Sequence, residues 1–137
     1  HLGNGCPNLL PRHDNIIQRV LSLSDRLAIS FIADGHHVPP FALKNYLDVV
    51  PDHNILIVTD AISAAGLGPG VYRLAHQTVE VDEDLSAWAE GRKNFAGCAT
   101  TMPQMVELLN DQLGIAPATS IRWMRDNPQR LLSSAKT

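Results

Sequence analysis

Along the chain, apolar residues come in short runs whose spacing switches between the helical period and unbroken stretches. Ile16, Ile17, Val20 and Leu21 recur at helical spacing behind Asp14, a residue able to cap a first turn, and predict a helix over residues 15–22. Residues 28–33 (Ala-Ile-Ser-Phe-Ile-Ala) instead predict a buried strand. Pro39-Pro40 suits the first turn of a second helix, with Phe41, Leu43, Tyr46, Leu47 and Val50 as its apolar side and Pro51 as its stop. Residues 54–59 form the next buried strand. Two strand–helix units in succession, with strands too continuously apolar for a half-exposed sheet, predict an α/β fold built on a parallel sheet.

The rhythm changes after Asp60. Residues 61–70 carry three glycines and a proline and predict a loop. Two alternating stretches, Val71-Tyr72-Arg73-Leu74 and Thr78-Val79-Glu80-Val81, predict a β-hairpin over residues 71–82. A capping-box spacing at Thr101-x-x-Gln104 opens a helix through Met105, Val106, Leu108, Leu109 and Leu113, with Gly114 as its stop. Two further helical pieces, residues 117–125 and 128–132, close the chain.

Composition narrows the reading. The 137 residues are 45% hydrophobic, enough for the core of a single domain over residues 1–137. A full barrel of eight β/α units needs about 250 residues, so only part of one fits. The net charge is −3 and the Lys and Arg residues are scattered, which gives neither a nucleic-acid stripe nor a polybasic membrane patch. The apolar stretches are too short to span a bilayer. Cys6 and Cys98 form no C-x-x-C pair and are expected as free thiols, in keeping with a reducing, cytoplasmic setting. The chain opens inside a candidate motif, without an initiator Met or a leader, and reads as a fragment or processed piece.

The candidate chemistry gathers at predicted strand ends. In a parallel α/β fold the loops after the strands share one face. The run Asn54-Ile55-Leu56-Ile57-Val58-Thr59 ends on Asp60. A carboxylate there is costly to desolvate unless a metal, a water or several N–H groups bind it, or unless it caps the following turn. His36 and His37 follow the turn pair Asp34-Gly35, with Asp34 a candidate loop brace, and His1 opens His1-Leu2-Gly3-Asn4-Gly5. An isolated histidine is more often a satisfied core or surface residue than a ligand. One carboxylate and two imidazoles converging on one face would nevertheless suit metal-assisted hydrolysis. Gly3, Asn4 and Gly5, with Arg12 beyond, could cradle an anion. Gly97-Cys98 could present backbone amides in the same way, while Trp88 and Trp123 suit packing.

Taken together, these segments resemble the N-acetylglucosamine-6-phosphate deacetylases of the amidohydrolase superfamily. The resemblance rests on five blocks in order. They are His1-Leu2-Gly3-Asn4-Gly5, Phe31-Ile32-Ala33-Asp34-Gly35-His36-His37-Val38, Leu56-Ile57-Val58-Thr59-Asp60-Ala61, Ala96-Gly97-Cys98-Ala99-Thr100-Thr101-Met102 and Asn127-Pro128-Gln129-Arg130-Leu131-Leu132. It implies a partial (β/α)8 TIM barrel, the last strands and helices with a rim hairpin. The earlier strands and an accompanying β-sandwich have no counterpart here.

The resemblance further implies a divalent metal, zinc by first choice, bound by His1, with Asp60 as the catalytic carboxylate and His37 contacting substrate. Asn4 and Gly5 match the backbone segment that holds the sugar phosphate. Arg12 matches an arginine that reaches the phosphate across a homodimer interface. Cys98 and Thr100 replace a serine and a leucine of the family pattern Ala-Gly-Ser-x-Leu-Thr-Met, near the acyl group, and Leu10-Pro11-Arg12-His13-Asp14 also departs from the family. The implied partner is a small amino-sugar phosphate. The rival expectations are an amidohydrolase for another N-acyl sugar or a cyclic amide, and an inactive sugar-phosphate-binding or structural remnant.

Overall fold

The computed structural model describes residues 1–7 and 9–134. They divide into two compact units, one made of residues 1–58 and the chain from 106 onward, the other of residues 59–105.

In the first unit, β-branched and aromatic residues that fit an enclosed pleated surface form β1 (Ile29–Ile32) and β2 (Ile55–Val58). The two strands pair in parallel, from Ile29 opposite Ile55 to Ile32 opposite Val58. Phe31, Ile32, Ile55 and Ile57 are all buried to 1% exposure or less, as the unbroken apolar runs predict. The connection between them is helix α2 (Pro40–Val49), with proline in its first turn. Leu43, Leu47 and Val50 are its buried stripe, and Tyr46 stacks on Phe31 with ring centroids 6.1 Å apart. Phe41, expected on the apolar side, is 73% exposed because it lies off the i, i+4, i+7 stripe that starts at Leu43.

Helix α1 (Ile16–Leu21) is capped by Asn15 rather than by Asp14. Asn15 has the extended backbone a cap requires, and its side chain accepts from the Gln18 N–H at 3.0 Å. Asp14 pairs instead with Arg19 at 2.6 Å.

The C-terminal helices form one continuous run rather than two pieces. α4 (Pro117–Ile121) passes through a wide π turn at Arg122–Asp126 into α5 (Asn127–Ser134). Pro128 has no N–H for a regular helical bond, and the wider turn, closed by the Asn127 N–H on the Arg122 carbonyl, carries the chain past it.

A polar lock fastens this run to the turn before β2. Asn127 Nδ2 donates to the carbonyls of Asp52 and Ile55, both at 2.8 Å, and Arg122 grips the Asp52 carboxylate at 3.0 Å through two nitrogens. Trp123 Nε1 adds a bond to Asp52 at 2.8 Å. Burial alone would raise the Asp52 carboxyl pKa, but the Arg122 and Trp123 hydrogen bonds outweigh it and hold the group below its ordinary value. The block Asn127-Pro128-Gln129-Arg130 thus has a structural task. Asn127→Ala, which strips the buried Ile55 carbonyl and the half-buried Asp52 carbonyl of a donor, is expected to destabilise the protein by about 1–3 kcal/mol, read as a lowered urea midpoint at unchanged slope.

The second unit is an antiparallel meander of four strands, β3 (Gly70–Leu74), β4 (Gln77–Val81), β5 (Ser86–Ala89) and β6 (Phe95–Cys98), paired in that order. The predicted hairpin is its first half. Its core is Ala64, Val79, Val81, Ala87 and Ala99, with Ile62, Tyr72 and Leu74 packed against it. Trp88, expected as packing, is half-buried and lies under the Arg92 guanidinium, 5.1 Å from the ring centroid.

Helix α3 (Met102–Leu113) opens as its capping spacing predicts, with a variation. Gln104 Oε1 accepts from both the N–H and the hydroxyl of Thr101 at 2.8 Å. Gly114, at φ +67°, closes the helix by returning its N–H to the Asn110 carbonyl.

Candidate active-site residues

The first unit assembles two candidate histidines around β1. His1 Nδ1 lies 2.8 Å from the Ser30 hydroxyl, and the Leu2 N–H donates to the Ser30 carbonyl at 3.0 Å. Ser30 is the one polar residue of β1, and no sequence pattern signals its partnership with His1. Asn4 closes a turn back to the His1 carbonyl at 3.1 Å, and Asn4, Gly5 and Arg12 are exposed. Gly3 is required by close approach: at φ +88° its backbone lies so near Val38 that a Cβ would fall 2.7 Å from a Val38 methyl carbon. The His1–Gly5 turn and the loop bearing His37 are therefore packed on each other.

His37 is held by Asp34. Asp34 Oδ1 accepts the N–H groups of His36 and His37, each at 3.0 Å, and Oδ2 lies 2.6 Å from His37 Nδ1. Both side chains are 4% exposed or less. Burial pushes the Asp34 carboxyl up, but the His37 ring bond and the two backbone N–H groups outweigh it and keep it below the ordinary value. Asp34 is the loop brace expected from its turn position.

A carboxylate depressed in the folded state stabilises the fold fully above its unfolded value of about 4, and that contribution is lost as pH falls through and below it. Unfolding midpoints followed from neutral pH down to about 3 should decline, with an Asp34→Asn variant lacking this component.

A cleft of about 310 Å³ opens beside His1, Asn4 and Cys6, walled by Ile16, Val20 and Leu27.

In the second unit the structure brings Asp60 and Cys98 together through the backbone. The Cys98 N–H donates to the Asp60 carbonyl at 3.1 Å, and the Ile62 N–H returns to the Cys98 carbonyl at 3.0 Å, a parallel bridge outside the meander. Gly97 permits it: at φ +117° its missing Cβ would stand 2.7 Å from an Ile62 methyl carbon and 3.1 Å from the Asp60 carbonyl oxygen. The expectation that Gly97-Cys98 offers its amides to a ligand is corrected at Cys98, whose N–H is used internally. The Cys98 sulfur is itself buried and accepts the Thr100 N–H at 3.3 Å.

Asp60 also differs from expectation. It is exposed, sits in left-handed backbone at φ +50°, and its carboxylate neither caps the following turn nor pairs with any described residue. The following turn is closed by main-chain bonds, including Ala65 N–H to the Ile62 carbonyl at 3.0 Å, so no cap is needed there. A non-glycine residue in this conformation is uncommon, although aspartate tolerates it better than most.

No family model matches the chain. A protein of Escherichia coli (strain K12), provisionally named N-acetylgalactosamine-6-phosphate deacetylase, is 30% identical over 133 residues, which cover 96% of this chain and 77% of that protein. The chain belongs to the N-acetylhexosamine-6-phosphate deacetylase family. The N-acetylglucosamine-6-phosphate deacetylase of Homo sapiens is 34% identical over 123 residues, 85% of this chain but 30% of the human protein.

Among solved structures, the chain is similar to an aspartate-to-alanine variant of N-acetyl-D-glucosamine-6-phosphate deacetylase from Mycobacterium smegmatis, in complex with N-acetyl-D-glucosamine-6-phosphate. The TM-score is 0.82 and the identity 27%, over 97% of this chain and 35% of that one. The mixed α/β fold is thus that of deacetylase structures, and the chain spans about a third of the length of the human and mycobacterial proteins.

Among the described residues, no helix is long and apolar enough to cross a membrane. Nor does any group of three or more His, Cys, Asp or Glu residues stand ready to hold a metal ion. His1, with Nδ1 on Ser30, brings one imidazole to such a site, so the described residues do not by themselves fit a metal centre.

Proposed function

We propose that this chain carries part of the active site of a cytoplasmic deacetylase that hydrolyses the acetamide of an N-acetylhexosamine 6-phosphate. The observation that supports this most directly is Asp60: an unengaged, exposed carboxylate in left-handed backbone braced by the Gly97-Cys98 strand, in a chain of the deacetylase family. Asp60 takes a proton from the attacking water and delivers it to the departing nitrogen, leaving acetate and the amino-sugar phosphate. His37 orients the sugar, and Cys98 lies near the acyl group. Asn4 and Gly5 hold the phosphate, with Arg12 as the guanidinium that reaches it across a homodimer interface. This remote binding is converted into orientation of the acetamide.

The family reading includes a divalent metal, zinc by first choice, for which His1 is one ligand alongside side chains from outside the described residues. It also includes a partial (β/α)8 barrel in which β1 and β2 are consecutive strands, the chain being one portion of a larger domain.

The test is acetate release, by the enzyme that carries this chain together with the remaining metal ligands, from N-acetylglucosamine 6-phosphate, N-acetylgalactosamine 6-phosphate and unphosphorylated N-acetylglucosamine. Release from either phosphate ester, with the free sugar at least tenfold slower, is expected. Equal turnover of the free sugar, or turnover of a cyclic amide in place of all three, would overturn the proposal.

A further inference from the structure

We propose that Asn4-Gly5 is a site of spontaneous covalent modification, where asparagine converts to aspartate and isoaspartate, and that the carboxylate so formed repels phosphate from the turn. The modification rests on sequence and geometry alone. Its effect on phosphate binding rests on the proposed function.

Asn4-Gly5 is the one Asn-Gly pair in the chain. The reaction joins the Gly5 backbone nitrogen to the Asn4 side-chain carbonyl carbon. The bond to the side-chain amide nitrogen breaks, and ammonia leaves with the Gly5 amide proton. Water then opens the resulting succinimide at either carbonyl. One opening gives aspartate; the other gives isoaspartate, with the main chain rerouted through the side chain. A Cβ on the following residue hinders the closure, and glycine has none.

The structure leaves both reacting groups free. Asn4 and Gly5 are exposed, and Asn4 lines the open cleft beside His1, so water reaches it. Neither the Asn4 side-chain amide nor the Gly5 N–H makes a hydrogen bond to a described residue. An added Cβ at Gly5 meets nothing within 4 Å, so the ring has room to close. The bond that anchors the turn, Asn4 N–H to the His1 carbonyl at 3.1 Å, lies on the other side of the Asn4 Cα, outside the reacting bonds. Other asparagines are held. Asn15, Asn54 and Asn127 donate their side-chain amides to main-chain carbonyls, and Pro128 offers Asn127 no N–H to attack.

Peptide mapping by mass spectrometry, after the folded chain has stood in mildly alkaline buffer, reads the modification directly. Asn4 is expected to exchange its amide for a carboxyl about tenfold faster than Asn15, Asn54 or Asn127, with isoaspartate among the products. Gly5→Ala should slow the conversion, and Asn4→Gln, which must close a larger ring, should abolish it. The second half is read in the enzyme that carries this chain together with the remaining metal ligands. There Asn4→Asp should raise KM for N-acetylglucosamine 6-phosphate about tenfold and leave kcat/KM for unphosphorylated N-acetylglucosamine unchanged.

Conversion at Asn4 no faster than at Asn15 overturns the proposal, and that comparison lies within the unaltered chain, so it stands even if a variant does not fold. An unchanged KM for the phosphate ester, or an equal loss on the free sugar, overturns the second half. If the unaltered enzyme releases no acetate from either sugar, the proposed function and the second half fall together, and the peptide map still decides the modification.

Discussion

In the complete enzyme, replacing Asp60 with asparagine is expected to lower kcat for acetate release by about 10²–10⁴-fold while leaving KM for the sugar phosphate near its starting value. The amide fills the same volume, and because the Asp60 side chain makes no bond to a described residue, nothing in the fold depends on its charge. Asparagine is also, with aspartate, one of the residues that best tolerate left-handed backbone, so the turn at φ +50° survives the change. What is lost is the ability to hold a proton between water and the leaving nitrogen. A variant that folds, binds and still turns over near the original rate would remove Asp60 from the chemistry. A variant that chiefly loses binding would recast it as a substrate contact.

The largest expected effect on stability lies at Gly97. Alanine there meets two penalties at once, a backbone angle of +117° that L-residues rarely adopt and a Cβ 2.7 Å from Ile62. Gly97→Ala should cost about 2–4 kcal/mol and lower the melting temperature by roughly 10 °C. Gly91 is the control: its φ is +79°, but an added Cβ meets nothing within 4 Å, so alanine there carries the backbone penalty alone, about 1 kcal/mol. Equal losses at the two positions would show that conformation, rather than the close approach to Ile62 and Asp60, dominates at Gly97. The bridge between Ala61 and Cys98 is what Gly97 protects, so the variant should also speed amide exchange at Ile62 and Cys98.

These two sites illustrate what could and could not be read from the sequence. β1 and β2 were legible because an unbroken apolar run needs enclosure on both faces, and the parallel pairing followed from the helix between them. β5 and β6 were not legible. Ser86-Ala87-Trp88-Ala89 and Phe95-Ala96-Gly97-Cys98 are dominated by small residues and show no alternation, so their strand character comes from pairing with β4 and with each other.

The position of Asp60 after a strand was visible in the sequence, but its left-handed backbone depends on a neighbour contributed by a distant glycine. The brace between Asp34 and His37 was within reach because it is local, three residues across a turn that Asp-Gly announces. The hold of Ser30 on His1 was hidden for the opposite reason: a single hydroxyl in an apolar strand carries no signal until the chain brings a partner beside it.

That hold has a consequence for how this chain can vary. Ser30 grips the opening turn twice, through its carbonyl to the Leu2 N–H and through its hydroxyl to the His1 ring. The first grip is main chain and survives any side chain at position 30; only the second is encoded by the residue type. A change at this one position would therefore re-aim an imidazole while leaving the strand and the turn where they are. Position 30 works as an adjusting screw, a place where selection can retune a site without having to rebuild its mounting.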